Sequence, residues 1–315
     1  MEKMIAPRQG YSEALIRLGE KHKDLVVLDA DCAKSNMTNL FKNQFPERFF
    51  NIGISECDLV GTAAGLAIAG KVPFANAYAN FLTGRAFDQM RISVCYSNNN
   101  VKIIGHNAGT SAAQEGATHL PLEDISLMRT LPRMTVVVPA DSLEMEKAVE
   151  AAYHFDGPLY LRVGKLPVPI VTKKEDPFVI GKATLYREGS DVTIISTGIM
   201  LDEVFKAASE LEKQGISAEV LHVHTIKPID KEAIVKSVSK TKHVVTVEEH
   251  SIIGGLGSAV SEVLSENYPV PLKRIGTNDR FGVSGKMPEL LDFFELRAHK
   301  IVSTVYELLE SKVVN

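Results

Sequence analysis

The sequence predicts an α/β protein of two consecutive units, each a largely parallel sheet covered by helices on both faces. Three observations lead there. Apolar runs of strand length alternate with segments of helical periodicity. The alternation breaks once, at a proline-bearing stretch, and then resumes. The 315 residues, 45% of them hydrophobic, are enough for two ordinary cores.

The first unit reads as follows. Ser12 to His22 has the spacing of an amphipathic helix, and Leu25 to Asp29 is a buried strand. Ser55 to Ala69 is helical and rich in small residues. Val72 to Tyr78 reads as a strand, Phe81 to Tyr96 as a helix, and Val101 to Gly105 as a short β run. Glu123 to Thr130 forms a helix, followed by the strand Thr135 to Val138. Asp141 caps a helix running to about Phe155, and Leu159 to Val163 is the last strand. Gly164 to Phe178 then carries Pro167, Pro169 and Pro177 and the charged run Lys173 to Asp176. It reads as a linker, giving units at 1–165 and 180–315 with 166–179 between them. In the second unit Val192 to Ser196, Ala218 to His222, His243 to Glu248 and Leu272 to Ile275 read as strands. Helices start near Leu201, Asp230, Gly254 and Pro288.

Composition removes several classes. With 35 basic and 39 acidic residues there is no electrostatic footprint for nucleic acid. The apolar runs are too short to span a bilayer, and Met1 to Arg8 has no signal-like apolar region. Three scattered cysteines, Cys32, Cys57 and Cys95, indicate neither a disulfide framework nor a metal site. A cytoplasmic protein is the expectation.

In open α/β sheets ligands collect at the carboxyl ends of the strands. That rule selects Asp29 to Ser35, Ser55-Glu56, the polar loop from His106 to His119, and Arg162. Each has an ordinary reading: a helix cap for Asp31 and Ser35, a first-turn acid for Glu56, solvated loop histidines, a surface cation. The loop is the most suggestive, being long, glycine-bearing and bounded by two histidines. Gly254-Gly255-Leu256-Gly257 could cradle a phosphate at a helix start, but it lacks dinucleotide spacing and reads better as a tight turn.

Five strings occur in order: Asn51-Ile52-Gly53-Ile54-Ser55-Glu56, Phe81-Leu82-Thr83-Gly84-Arg85-Ala86-Phe87-Asp88-Gln89, Gly116-Ala117-Thr118-His119, Val247-Glu248-Glu249-His250-Ser251 and Gly254-Gly255-Leu256-Gly257. Together they resemble the C-terminal half of transketolase, in the form split between two genes. The likeness runs from Arg8 to the Phe281-Gly282-Val283-Ser284-Gly285 segment. It implies a pyrimidine-binding domain of the thiamine-diphosphate-binding fold, followed by a smaller C-terminal α/β domain. The family binds diphosphate and a divalent ion such as Mg2+ through a G-D-G…N motif. No G-D-G occurs here. The resemblance therefore implies a partner subunit carrying that domain and the metal, in an α2β2 assembly, with no metal ligands on this chain.

The resemblance also implies roles. Thiamine diphosphate is the electron sink for carbon–carbon cleavage. Glu56 matches the glutamate that hydrogen-bonds the aminopyrimidine and favours the imino tautomer that removes the C2 proton; a buried apolar setting would raise its pKa. Phe81 matches an aromatic that stacks on that ring, and Asp31 an aspartate beside the cofactor. Arg8, Arg162, Ser35 and His106 match the residues that grip the phosphate of a sugar phosphate. His119 matches a histidine that touches substrate hydroxyls and shuttles protons; it and His106 join Glu56 as expected catalytic residues. The implied reaction is transfer of a two-carbon ketol unit from a ketose phosphate to an aldose phosphate, as in the pentose phosphate pathway.

One stretch departs from the family. Gln114-Glu115-Gly116-Ala117-Thr118-His119-Leu120 has glutamate where an aspartate that reads a substrate hydroxyl is expected, and leucine where glutamine is expected. The identity of the sugar is thereby open. Deoxyxylulose-phosphate synthase shares the pyrimidine-binding domain but is normally one chain. The β subunit of 2-oxo-acid dehydrogenases does not usually carry the His106…His119 loop. A scaffold that lost activity would not be expected to keep Glu56, Phe81, Arg8, Arg162 and both histidines.

Overall fold

The computed structural model describes residues 3–310; the parts of the expected units at 1–2 and 311–315 lie outside the described residues. Two main sheets organise the chain. The larger runs, in spatial order, Thr225–Lys227, Thr135–Val137, Leu159–Val163, Lys102–His106, Val72–Tyr78, Leu25–Asp29 and Phe49–Asn51. All neighbours are parallel except the edge pair of Thr225–Lys227 with Thr135–Val137. The smaller runs Leu272–Thr277, Val244–Ser251, Val192–Ser196, Ala218–His222 and Thr184–Arg187, with only the last pairing antiparallel.

The central strands are buried along their whole length, so both sheet faces are covered and the strands read as continuous apolar runs. Pro7–Lys21 packs on Ser142–His154 on one face of the larger sheet. Glu56–Ile68 and Ala79–Arg85 lie over the other face. Asp141 accepts from the N–H groups of Leu143 and Glu144, which starts the helix where expected.

Three departures from the sequence reading concern the site. The expected helix Phe81 to Tyr96 is three pieces, Ala79–Arg85, Phe87–Gln89 and a π-helical Met90–Tyr96, because Ala86 leaves helical geometry at φ −95°, ψ 19°. The strand Phe49–Asn51 is too short to give an alternation. The proline-bearing segment also does more than connect: Val168 and Pro169 pair with Ile5 and Met4. Beyond the site, Thr225–Lys227 from the second half completes the larger sheet, and one apolar cluster includes Val136, Val138, Ile195 and Leu221 from both halves. Among the described residues no helix is long and apolar enough to cross a membrane.

Candidate functional site

The order of the larger sheet reverses direction between Leu25–Asp29 and Val72–Tyr78, and the loops at this carboxyl edge carry most of the expected residues. Asp29 ends its strand fully buried. It accepts from Cys32 N–H (2.6 Å), Thr38 Oγ1 (2.8 Å) and Asn36 Nδ2 (3.2 Å), fixing the loop that bears Asp31 and Ser35. Asp31 sits at φ +61° and is held by Asn51, which donates to its carboxylate at 2.9 Å and accepts its N–H at 3.1 Å. Asn51 belongs to a quoted string, but its clamping of Asp31 depends on two adjacent strands and is invisible in sequence.

Glu56 opens the helix Glu56–Ile68 and is 5% exposed. Its setting is not apolar, which corrects the expectation. Arg85 Nη1 lies 3.0 Å from both carboxylate oxygens, and the same guanidinium covers the Phe81 ring at 4.1 Å. Phe81 meets His119 edge-on at 4.9 Å, and Tyr78 lies 6.1 Å from His119. Glu56, Phe81, His119, Tyr78 and Arg85 thus form one cluster; neither Arg85 nor Tyr78 was singled out from sequence.

Beneath the site is a buried polar triad. Asn76 Nδ2 donates to the carbonyls of Leu28 and Phe74, so its Oδ1 must accept. It accepts from Tyr11 Oη (2.6 Å) and His106 Nε2 (2.9 Å). His106 is therefore the Nε2–H tautomer, with a buried Nδ1 that has no partner. Burial, with the nearby Arg8 adding to it, pushes the imidazole pKa down to about 3. A neutral ring offers an acceptor at Nδ1. With Nε2–H given to Asn76 and Nδ1 left as an acceptor, His106 presents no N–H to a phosphate oxygen in this arrangement, unlike the expectation.

Arg8 Nη1 donates to the Ser35 carbonyl at 2.7 Å, joining two residues expected to act together; Arg8 Nε is buried without a partner. Arg162 is elsewhere. Along its strand it shares a face with Tyr160, and both bond Asp124. The guanidinium is 6% exposed and spends its donors on Asp124 (2.8 and 3.2 Å), Glu249 Oε2 (3.1 Å) and the carbonyls of Glu249 and Pro121. The expected phosphate contact by Arg162 is therefore not supported: the guanidinium is buried, and Nε, Nη1 and Nη2 all bond groups inside the protein. Lys165, just past the strand, bonds Glu115 through its Nζ. Glu115 also accepts from Asn107 Nδ2 at 3.2 Å. Leu120 is buried, with Gly282 packed against it, so it supports the loop from below.

The remaining strings of the second half act on this loop. Glu249 accepts from Thr110 N–H at 2.7 Å and from the Thr110 hydroxyl. His250 Nε2 accepts from Ser126 N–H at 3.3 Å. Ser284 packs against Gly116 at φ +77°. Glu248 accepts from the N–H groups of Leu256 (2.7 Å) and Gly257 (2.8 Å), so the helix start at Gly254-Gly255-Leu256-Gly257 is filled by an internal carboxylate and has no room for a phosphate. An apolar cavity of about 430 Å³ lies behind the loop, lined in part by Met4, Leu166, Met200 and Met287, and none of the expected site residues borders it.

Both units match known families. The profile described as "Transketolase, pyrimidine binding domain" matches residues 3–169, and "Transketolase, C-terminal domain" matches 181–301. The chain is 44% identical over 305 residues to the 6-deoxy-6-sulfo-D-fructose transketolase subunit SqwH of a Clostridium species, covering 97% of this chain and 95% of that one. It is 39% identical over 308 residues to an apulose-4-phosphate transketolase subunit from Phocaeicola vulgatus, covering 98% of each. A split-gene transketolase solved as an inactive beta4 tetramer superposes with TM-score 0.91 at 47% identity, over 97% of this chain and 99% of that one. Transketolase from Campylobacter jejuni shares the fold, with TM-score 0.83 at 23% identity and 47% of its length covered. The chain belongs to the transketolase family, a thiamine-diphosphate-dependent family. It corresponds to the C-terminal section of a split transketolase, made of the pyrimidine-binding and C-terminal domains.

Proposed function

We propose that this chain is the aminopyrimidine- and sugar-binding subunit of a two-chain transketolase, transferring a two-carbon ketol unit between a ketose and an aldose that end in an anionic group. The observation that carries the reading is the cluster of Glu56, Phe81, Tyr78 and His119 at the sheet switch point. There a buried carboxylate opens a helix beside an aromatic wall.

The residues present fit one end of thiamine diphosphate. The Glu56 carboxylate is an acceptor for a ring N–H, and Phe81 offers a flat apolar face once Arg85 swings off it. They do not fit the other end: no group of three or more His, Cys, Asp or Glu able to hold a metal occurs among the described residues. A second subunit would supply the diphosphate and Mg2+ contacts, in an α2β2 arrangement. When bound, the cofactor supplies the electron sink for carbon–carbon cleavage. This chain's own groups do the rest. Glu56 accepts the ring N–H at its carboxylate; Phe81 and Tyr78 exclude water from one side; Asp31, fixed by Asn51, lines the pocket. His119, with Nδ1 2.8 Å from Thr118 Oγ1, contacts and moves protons on substrate hydroxyls. Arg8 and Ser35 take the anionic end, and neutral His106 accepts from a hydroxyl. A soluble cytoplasmic complex is consistent with this reading.

The test combines the chain with a subunit carrying a G-D-G…N diphosphate domain, thiamine diphosphate and Mg2+. Ketol transfer is expected only from the mixture. Glu56→Gln should lower turnover by at least about two orders of magnitude without changing the circular dichroism spectrum. Full activity from this chain alone, or from the Glu56→Gln mixture, would refute the proposal.

A further inference from the structure

We propose that Arg85 is a gate on the cofactor site: in the free subunit its guanidinium holds the place assigned to the aminopyrimidine ring, and it must leave before that ring can enter. The inference rests on the transketolase reading above and adds what guards its cofactor site.

Local structure sets the gate in place. Phe81 and Arg85 lie four residues apart on the helix Ala79–Arg85, so their side chains share a face. The helix stops there, because Ala86 leaves helical geometry, and the Arg85 side chain is half exposed, at 51%. Cys57 Sγ donates to the Arg85 carbonyl at 3.3 Å, which ties this helix end to the start of Glu56–Ile68.

The acids nearby explain why a cation is held. Burial and the charges of Asp29, Glu56, Asp31 and Glu115 push the Cys32 thiol up to about 12, so four carboxylates act on one corner. Three have partners of their own. Asp29 is taken by Cys32, Asn36 and Thr38, Asp31 by Asn51, and Glu115 by Asn107 and Lys165. Glu56 is 5% exposed, and Arg85 is the one hydrogen-bonding partner of its carboxylate among the described residues. A buried carboxylate left unpaired is costly, so without a ligand Arg85 satisfies it.

The guanidinium does this in the manner of the ring it excludes. It is flat, it gives N–H to a carboxylate and it covers an aromatic face. Nη1 lies 3.0 Å from both Glu56 oxygens, and the guanidinium carbon lies 4.1 Å from the Phe81 centroid. His119 meets Phe81 edge-on at 4.9 Å and Tyr78 stands 6.3 Å away. The transketolase reading assigns the same carboxylate and the same aromatic ring to the aminopyrimidine, so guanidinium and pyrimidine compete for them. The guanidinium can leave readily, since half of the side chain is already in water and ion pairs of that exposure are weak.

The experiment uses the full chain without its partner and a probe that carries only the ring, 4-amino-5-hydroxymethyl-2-methylpyrimidine, with binding followed by ligand NMR at fixed pH. Arg85→Ala removes the competitor and keeps a good helix former, so it is expected to bind the probe about fivefold to tenfold more tightly than the wild type. That ratio should shrink at least about twofold as salt rises from about 50 to about 500 mM, because screening loosens the ion pair that only the wild type has. In the wild type, the side-chain Nε signal of Arg85, assigned by its loss in Arg85→Ala, should shift in step with probe binding. This readout needs neither turnover nor a variant's fold. Probe binding that is unchanged or weaker in Arg85→Ala, a ratio indifferent to salt, or an Nε signal that stays put while the probe binds overturns the gate; weaker binding would make Arg85 a support for Glu56 instead. Failure of thiamine diphosphate to bind the assembled two-chain complex, with arginine or alanine at this position, overturns the transketolase reading itself, and the gate falls with it.

Discussion

Replacing Arg162 by methionine removes a buried cation while keeping most of its stem volume. Asp124 and Glu249 then face each other's surroundings with no positive charge between them, both 5% exposed or less. Removing one member of a buried ion pair typically costs about 3–5 kcal/mol, because the remaining charge is left uncompensated. For a chain of this size that is a fall of roughly 6–20 °C in Tm. The loss has a pH signature. Burial by itself raises the pKa of Asp124, but attraction to Arg162 and hydrogen bonds from Arg162 and Tyr160 outweigh it and hold the carboxyl below its ordinary value. A depressed carboxyl contributes stability above its unfolded pKa and loses it as pH falls through the lower folded one. Without Arg162 the carboxyls favour the protonated form, so the variant weakens as pH rises. The gap between wild type and Arg162→Met should therefore be wider at pH 8 than at pH 5 in thermal unfolding scans. A loss under about 1 kcal/mol, or a KM increase confined to anionic sugars with stability intact, would return Arg162 to the substrate and refute this account.

Burial lifts the Glu248 pKa to about 7, against the two N–H groups that favour its ionised form. A raised carboxyl weakens the fold as pH climbs towards and past 7, so Glu248→Gln should gain stability relative to wild type at pH 8 and gain little at pH 5; Tm measured across that range decides it. Gly109 lies at φ +58°, and a Cβ there would sit 2.3 Å from Glu249 Oε2. Gly109→Ala should displace the carboxylate from Thr110 and accelerate hydrogen exchange across residues 107–119; unchanged exchange would show that the Glu249 contact does not order the loop.

Much of the fold is legible in the sequence because its strands are buried on both faces. Leu25–Asp29, Val72–Tyr78, Leu159–Val163, Val192–Ser196 and Ala218–His222 begin and end where their apolar runs do. Phe49–Asn51, Thr184–Arg187 and Thr225–Lys227 escape notice because they are short or at an edge, and their hydrogen-bond partners, not their composition, make them strands. The same division runs through the site. Glu56, Phe81 and His119 stand in local strings, and local position places them together at the carboxyl edge. What faces them is set by pairing between distant segments. Arg85 folds back on Glu56 across 29 residues, and Asn76 fixes the tautomer of His106 across 30.

What the sequence determined by itself was the two-unit α/β architecture, the family, and which loops gather at one sheet edge, since these follow from periodicity and from short ordered strings. Which cation is spent inside the protein was decided only in three dimensions. Arg162 and Lys165 are three residues apart and carry the same charge. Strand alternation turns the first towards Asp124 and Glu249, which hold it buried in ion pairs. The chain leaves the sheet before the second, whose partner is Glu115 of the 106–119 loop. A sequence gives the charge of a side chain; the direction it points depends on the backbone it leaves and on the partners already waiting there.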